Sequence, residues 1–185
     1  MLRNASVVFV LSASVTLVAC SGTQTRREVV KATTPFDDGK PNSSAVPDGY
    51  AITSAFDKVV VLRFKFDVDL LDGIERQVKT LGIRNAVILS GIGSVRGYHV
   101  HSVSNRTFPS KNVFVKDPTA SADIVSMNGY VIGGRVHAHV TLADPDRAFG
   151  GHLERETRVF TFAVVTLGVL REPVDLERVD DKTYR

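Results

Sequence analysis

The chain has 185 residues, a formal net charge of +3 at neutral pH and a single cysteine, Cys20. Less a leader and a tether, that length leaves about one domain of chain, enough for a sizeable core without disulfides or metal as staples. No Lys/Arg cluster interleaves with aromatics, so the basic stripe of a nucleic-acid footprint is missing, and one cysteine excludes an intramolecular disulfide or a thiolate site in the mature domain, so that any metal must take nitrogen and oxygen donors.

Arg3 opens a short basic region, and Val7 to Ala19 is apolar and small, the pattern of a signal peptide over residues 1–19. The apolar run falls short of the about 20 residues that a membrane-spanning helix needs. Leu17-Val18-Ala19-Cys20 resembles a bacterial lipobox, which implies cleavage before Cys20 and lipidation of that cysteine. Leu17 argues against an ordinary signal peptidase, which prefers a small residue there; the alternative is a plain secretory signal with an incidental cysteine. Several acyl chains hold a protein on a membrane stably where one does not. Ser21 resembles the Gram-negative sorting pattern for the outer membrane, so the expected location is the cell envelope, facing the periplasm. Residues 20–50 are rich in Ser, Thr, Pro, Asp, Gly and Lys and read as a flexible tether. A folded domain is expected over 51–172, and a charged, peripheral tail over 173–185.

Within the domain, Lys58 to Phe66 has strand composition. Leu70, Leu71, Ile74, Val78 and Leu81 recur at helical spacing, with Asp69 placed to cap the start and Gly82 to close the end. Ala86 to Ser90 reads as a short buried strand followed by a glycine turn. Gly91-x-Gly93-x-x-x-Gly97 has the outline of a dinucleotide fingerprint, but that site needs a helix to follow. Tyr98 to Val103 alternates like a strand instead, so a tight turn between strands is the expectation. Asn112 to Lys116, Asp123 to Met127 and Tyr130 to Leu142 continue the strand pattern, the last two separated by a turn at Asn128-Gly129. Ala143-Asp144-Pro145-Asp146 is a turn by composition, and Arg158 to Leu170 is a long β-rich run. Many strands, one amphipathic helix and short turns predict an α+β fold, mostly an antiparallel sheet or a partly closed barrel.

The stretch from Gly134 to Leu153 carries the chemistry. It holds three of the five histidines, two of them as His137-x-His139. Strand residues two apart share a face, so these two project together while Val136, Ala138, Val140 and Leu142 cover the other side. With His152 beyond a turn, three imidazoles can form the nitrogen face of a tetrahedral zinc site. The alternative is a polar outer strand face whose histidines meet water.

Two segments resemble the plant and prokaryote conserved (PPC) domain family. Ala86-Val-Ile-Leu-Ser-Gly-Ile-Gly-Ser-Val95, after an amphipathic helix, is similar to its first signature. Asp123-Ile-Val-Ser-Met-Asn-Gly129, His137-x-His139, Asp144 and Phe149-Gly-Gly-His152-Leu are similar to its second. The resemblance spans roughly Val59 to Leu170 and implies a compact α+β domain on an antiparallel sheet, with a homotrimer as the expected assembly. In plants the domain accompanies AT-hook motifs, and bacterial relatives take a DNA-binding label by association. This chain has no Arg-Gly-Arg-Pro hook and carries an export signal, so no nucleic-acid partner is expected; fold alone is no warrant for function. The resemblance reaches, more distantly, acetolactate decarboxylase and zinc-dependent ester hydrolases, which implies a metal-ligand role for His137, His139 and His152. Asp123 stands where the family commonly has Glu, and His99 and His101 stand where no family histidines are expected. Their shared face can join the metal site, although solvated strand histidines are the plainer reading.

The chain is therefore expected to bind zinc or another divalent metal through His137, His139 and His152, as a lipid-anchored trimeric module. The alternative is a zinc-dependent hydrolase or lyase acting on a small carbonyl or ester substrate. Three protein ligands leave a fourth position for water, whose pKa zinc brings to roughly 7. In that case Glu154, two residues from His152, is the candidate base, and Arg135, on the face of His137 and His139, can neutralise an anionic substrate.

Overall fold

The computed structural model describes residues 26–29, 44–45, 47–105 and 110–180. The expected signal peptide and Cys20 lie outside the described residues. Inside the expected tether, Arg26–Val29 forms strand β1, paired antiparallel with β4 (Asn112–Asp117).

Strand β2 (Phe56–Lys65) buries Leu62 and Phe64 and exposes Val61, Arg63 and Lys65 in alternation with them, as in a sheet with one covered face. Helix α1 (Leu70–Thr80) follows as expected. The Asp69 carboxylate accepts from the Asp72 backbone N–H at 3.1 Å, satisfying one of the orphan donors of the first turn. Leu70, Leu71, Ile74 and Val78 are buried on one stripe, packed against β2, β6 and β8. Gly82, at φ 62°, reverses the chain out of the helix, a conformation that costs glycine nothing.

The glycine turn expected after Ser90 is absent. Strand β3 runs without a break from Ala86 to Val103. A Cβ on Gly91 would stand 2.5 Å from Met127 Cβ, and one on Gly93 would stand 2.2 Å from the Phe162 carbonyl oxygen. These glycines serve close approach of neighbouring strands, and the register with β8 shifts around them. The hairpin turn expected at Asn128-Gly129 has also moved. Strand β5 (Ala122–Ile132) passes straight through it, and the chain turns at Gly133-Gly134, with φ of 57° and 87°. Ile132 pairs with Arg135, which leaves a two-residue loop of the kind that requires positive φ at both positions.

Strands β6 (Arg135–Ala143), β7 (Ala148–Leu153) and β8 (Arg158–Leu170) complete the sheet. Its order is β1-β4-β3-β5-β6-β7, with β2–β8 joined to β3 through β8, and every pairing is antiparallel. The long β3 is the axis: its first half lies between β8 and β5, its second half between β4 and β7. Since β7 returns to β3 only at Val100↔Leu153 and His101↔His152, the sheet curls back on itself at one narrow seam rather than closing as a full barrel. Ile74, Leu142, Leu153, Val159, Val165 and Leu167 are wholly enclosed in the core. The tail is less peripheral than its charge suggests, because Leu176 is buried and Asn85 Nδ2 donates to the Val174 carbonyl at 2.8 Å.

Candidate metal centre

Register builds the site. His139 lies directly opposite His152 on β7, and His152 opposite His101 on β3. Directly paired residues of antiparallel strands share a face. One row therefore crosses the sheet as Asn128, His139, His152, His101 and Phe114, drawn from five strands. His137 stands two residues along β6, opposite Tyr130. The hydrophobic partners of these histidines hold the strands in place from the other face: Ala138, Val140 and Leu142 are buried.

The donor atoms of His137, His139 and His152 all lie within 4.8 Å of one another. The His137 and His139 rings are nearly parallel, at 12° with centroids 5.5 Å apart. His152 stands edge-on to both, with centroids at 4.8 Å and 5.3 Å. A second donor set overlaps the first: His101, His152 and Glu154 also lie within 4.8 Å of one another. His101 Nδ1–H donates to Glu154 Oε1 at 2.6 Å, and its ring stacks on His152 at 4.6 Å.

Electrostatics favours neutral imidazoles. Partial burial, then the nearby His101, His137 and His139, push His152 down to about 4 against an opposing pull from Glu154. Burial, then His137 and His101, lower His139 as well. Desolvation and like charges both disfavour the imidazolium.

The other expected site residues divide. Glu154 is at the site, engaged with His101 rather than standing alone. Arg135 is exposed, with Nη2 3.5 Å from Glu177 Oε2. His99 Nδ1–H donates to the Arg155 carbonyl at 3.0 Å and belongs to neither donor set. Asp123 is remote from the histidines: it pairs with Ala143 at the open end of the β5–β6 hairpin, beside a cavity lined by Ser94, Asp144 and Thr161. The role of Tyr130 was not anticipated. It lines a cavity of about 390 Å³ together with His137 and His139, and its place opposite His137 follows only from the strand register.

Fold and site together define a small, sheet-dominated domain with one helix and a histidine row on one sheet face. Residues 52–171 match the model of the Plants and Prokaryotes Conserved (PCC) domain, and the chain belongs to that family. Among solved structures it resembles the metal-containing protein AF0104 of Archaeoglobus fulgidus, at 25% identity and a TM-score of 0.59, over 74% of this chain and 95% of that one. It also resembles the plant- and prokaryote-conserved protein of Pyrococcus horikoshii, at 23% identity and a TM-score of 0.58, over 73% and 93% of the two chains. Both relatives thus consist almost wholly of this domain, which stands in them as a separate chain. Candidate DNA-binding proteins of Ralstonia eutropha and Bacteroides thetaiotaomicron are less similar, at 18% identity and TM-scores of 0.47 and 0.49. No curated protein matches the sequence.

Proposed function

We propose that this protein is an exported, lipid-anchored member of the family that binds a divalent cation, zinc foremost, through His137, His139 and His152. The observation that carries the reading is the convergence of three imidazole donors from two strands within 4.8 Å. Metal binding requires deprotonated ligands, and the lowering of His139 and His152 supplies neutral rings at pH 7. An N-donor set of this size suits zinc and leaves a coordination position open. The metal-containing Archaeoglobus relative, at 25% identity, supports the same reading. The test is metal content and zinc affinity of the domain from Asp48 onward. One ion per chain is expected in the parent, and none in a His137→Ala/His139→Ala variant of unchanged circular dichroism. A parent that takes up no metal near neutral pH would sink the reading.

Envelope location rests on the lipobox resemblance of residues 17–20, and radiolabelled fatty acid incorporated at Cys20 and lost in Cys20→Ala tests it. The homotrimer is supported by apolar side chains exposed on β2, β3, β5 and β8, among them Val61, Ile92, Val125 and Phe162. These strands neighbour one another in the sheet, and apolar side chains exposed together on adjacent strands suit a protein contact. Light scattering should return three times the monomer mass.

A second reading, a hydrolase or lyase acting on a small carbonyl or ester compound, is favoured by the Glu154–His101 pair beside His152. When bound, the cation would supply Lewis acidity and lower the pKa of a water to about 7. Glu154 would fix the tautomer and orientation of His101, as carboxylates do for histidines around metals. Arg135 would have to exchange Glu177 for an anionic group. Nucleic-acid binding is set aside, since the chain lacks both an AT-hook and a basic stripe.

A further inference from the structure

The histidine face has two flanks of opposite chemistry. Toward β7 and β3 it meets Glu154 and His101. Toward β5 it opens into the cavity of about 390 Å³, where Val87, Tyr130 and Val179 stand beside His137 and His139. Those same three residues also line a second cavity of about 500 Å³, which continues over Ile52, Phe56 and Leu170. The two spaces adjoin across these three side chains, and together they make a cleft that starts at the imidazoles and passes over β3 and β5 toward the segments around Phe56 and Val179. Each volume falls in the range of about 300–1,000 Å³ typical of small-molecule sites.

The far part of this cleft offers little to a polar ligand. Tyr50 Oη already donates to the Arg178 carbonyl at 2.6 Å, and Ser54 Oγ donates to the Ala55 carbonyl at 3.3 Å. Among the described residues no Asp, Glu, Lys or Arg lines either cavity. A polar group placed there would lose water without regaining hydrogen bonds. The near end is the reverse: neutral imidazoles holding a cation leave net positive charge, complementary to a carboxylate or a polarised carbonyl.

We propose that the cleft receives the apolar tail of a monocarboxylate, or of its ester, whose polar head lies at the histidines; the inference rests on the metal-site reading above. It assigns the site a ligand class, amphipathic and singly anionic or neutral, with the tail directed past Tyr130 toward Phe56. Tail recognition by burial is graded, since each methylene removed from water contributes a similar increment.

The experiment titrates the zinc-loaded domain from Asp48 onward with acetate, butyrate, hexanoate and octanoate by calorimetry, with metal content measured on the same sample. Affinity should rise about two- to fourfold per methylene. The rise should flatten in Val179→Asp and in Phe56→Asp, both at positions exposed enough to tolerate the change, while the metal stays bound. Bound zinc with equal affinity along the series would overturn the cleft and leave the metal centre standing; a cleft covered by a second copy of the chain would give that result. Chain-length dependence that persists undiminished after metal removal would overturn the placement of the head at the histidines. Failure to bind either zinc or carboxylates would overturn both readings.

Discussion

The two ends of the β5–β6 hairpin each carry polar side chains of the segment that resembles the second family signature, and they use them differently. Near the Gly133-Gly134 turn, His137 and His139 face His152 across the sheet, side chain to side chain. At the open end, Asp144 turns back on its own backbone. Its Oδ1 accepts from the N–H groups of Asp146 and Arg147, each at 2.9 Å, and these bonds help hold its carboxyl below the usual range. A carboxylate spent on a turn fixes the path of the chain into β7, whereas imidazoles that converge on one point are disposed to share a ligand. Position in a motif does not separate the two uses. What each polar atom touches does.

The sharpest way to break this contrast is substitution at both ends. His139→Ala should abolish stoichiometric zinc binding, while Asp123→Ala should leave zinc affinity within about twofold, well short of the 10- to 100-fold losses that follow removal of groups supporting a ligand. Equal losses at the two ends, read by competition with a chromophoric chelator, would erase the distinction. A smaller effect is expected from Gly129→Ala. Its φ of 140° and the His137 carbonyl oxygen 2.1 Å from a built Cβ require β6 to shift. Strain of this kind costs about 1–3 kcal/mol, visible as a lower urea midpoint, and the displacement of His137 should weaken zinc binding alongside.

The smallest effect concerns pH and belongs to the histidine end alone. His152 titrates near 4 in the folded chain against 6.5 ordinarily. Between those values the unfolded chain binds more protons than the folded one, so stability rises with pH across the window. The metal-free domain should hold its full stability above pH 6.5 and lose part of it as pH falls toward 4. His152→Gln should flatten that slope in urea unfolding measured at pH 7 and pH 5. An unchanged slope would show that the imidazole is more hydrated than its neighbours suggest.

Local signals were legible in the sequence, and pairings were not. Helix α1 could be read because apolar spacing, the Asp69 cap and Gly82 all agree. Strand β8 coincides with the β-rich run from Arg158 to Leu170. Glycine misled twice. Gly91 and Gly129 have the composition of turns, yet they sit inside strands because Met127 and the His137 carbonyl pass too close for a Cβ. That requirement comes from partners far along the chain, and a single sequence does not display it. Among the site residues, the shared face of His137 and His139 follows from strand periodicity. The meeting of His101 with His152 depends on which strand β7 pairs with and in what register. The same holds for Tyr130, and for the separation of Asp123 from the cluster.

Strand β7 is short and borders β3 through only two residue pairs. Of the three candidate ligands, two ride on β6 and one on β7, so an ion held among them would act as a rivet between neighbouring strands. Its binding free energy would then count as stability of that joint, growing with ion concentration. Amide exchange in Ala148–Leu153 should slow on zinc addition far more than in β2, and chelation should reverse it. The β6–β7 joint would thus be tight or loose according to the ion supply, with the short seam to β3 resting on the strand so held.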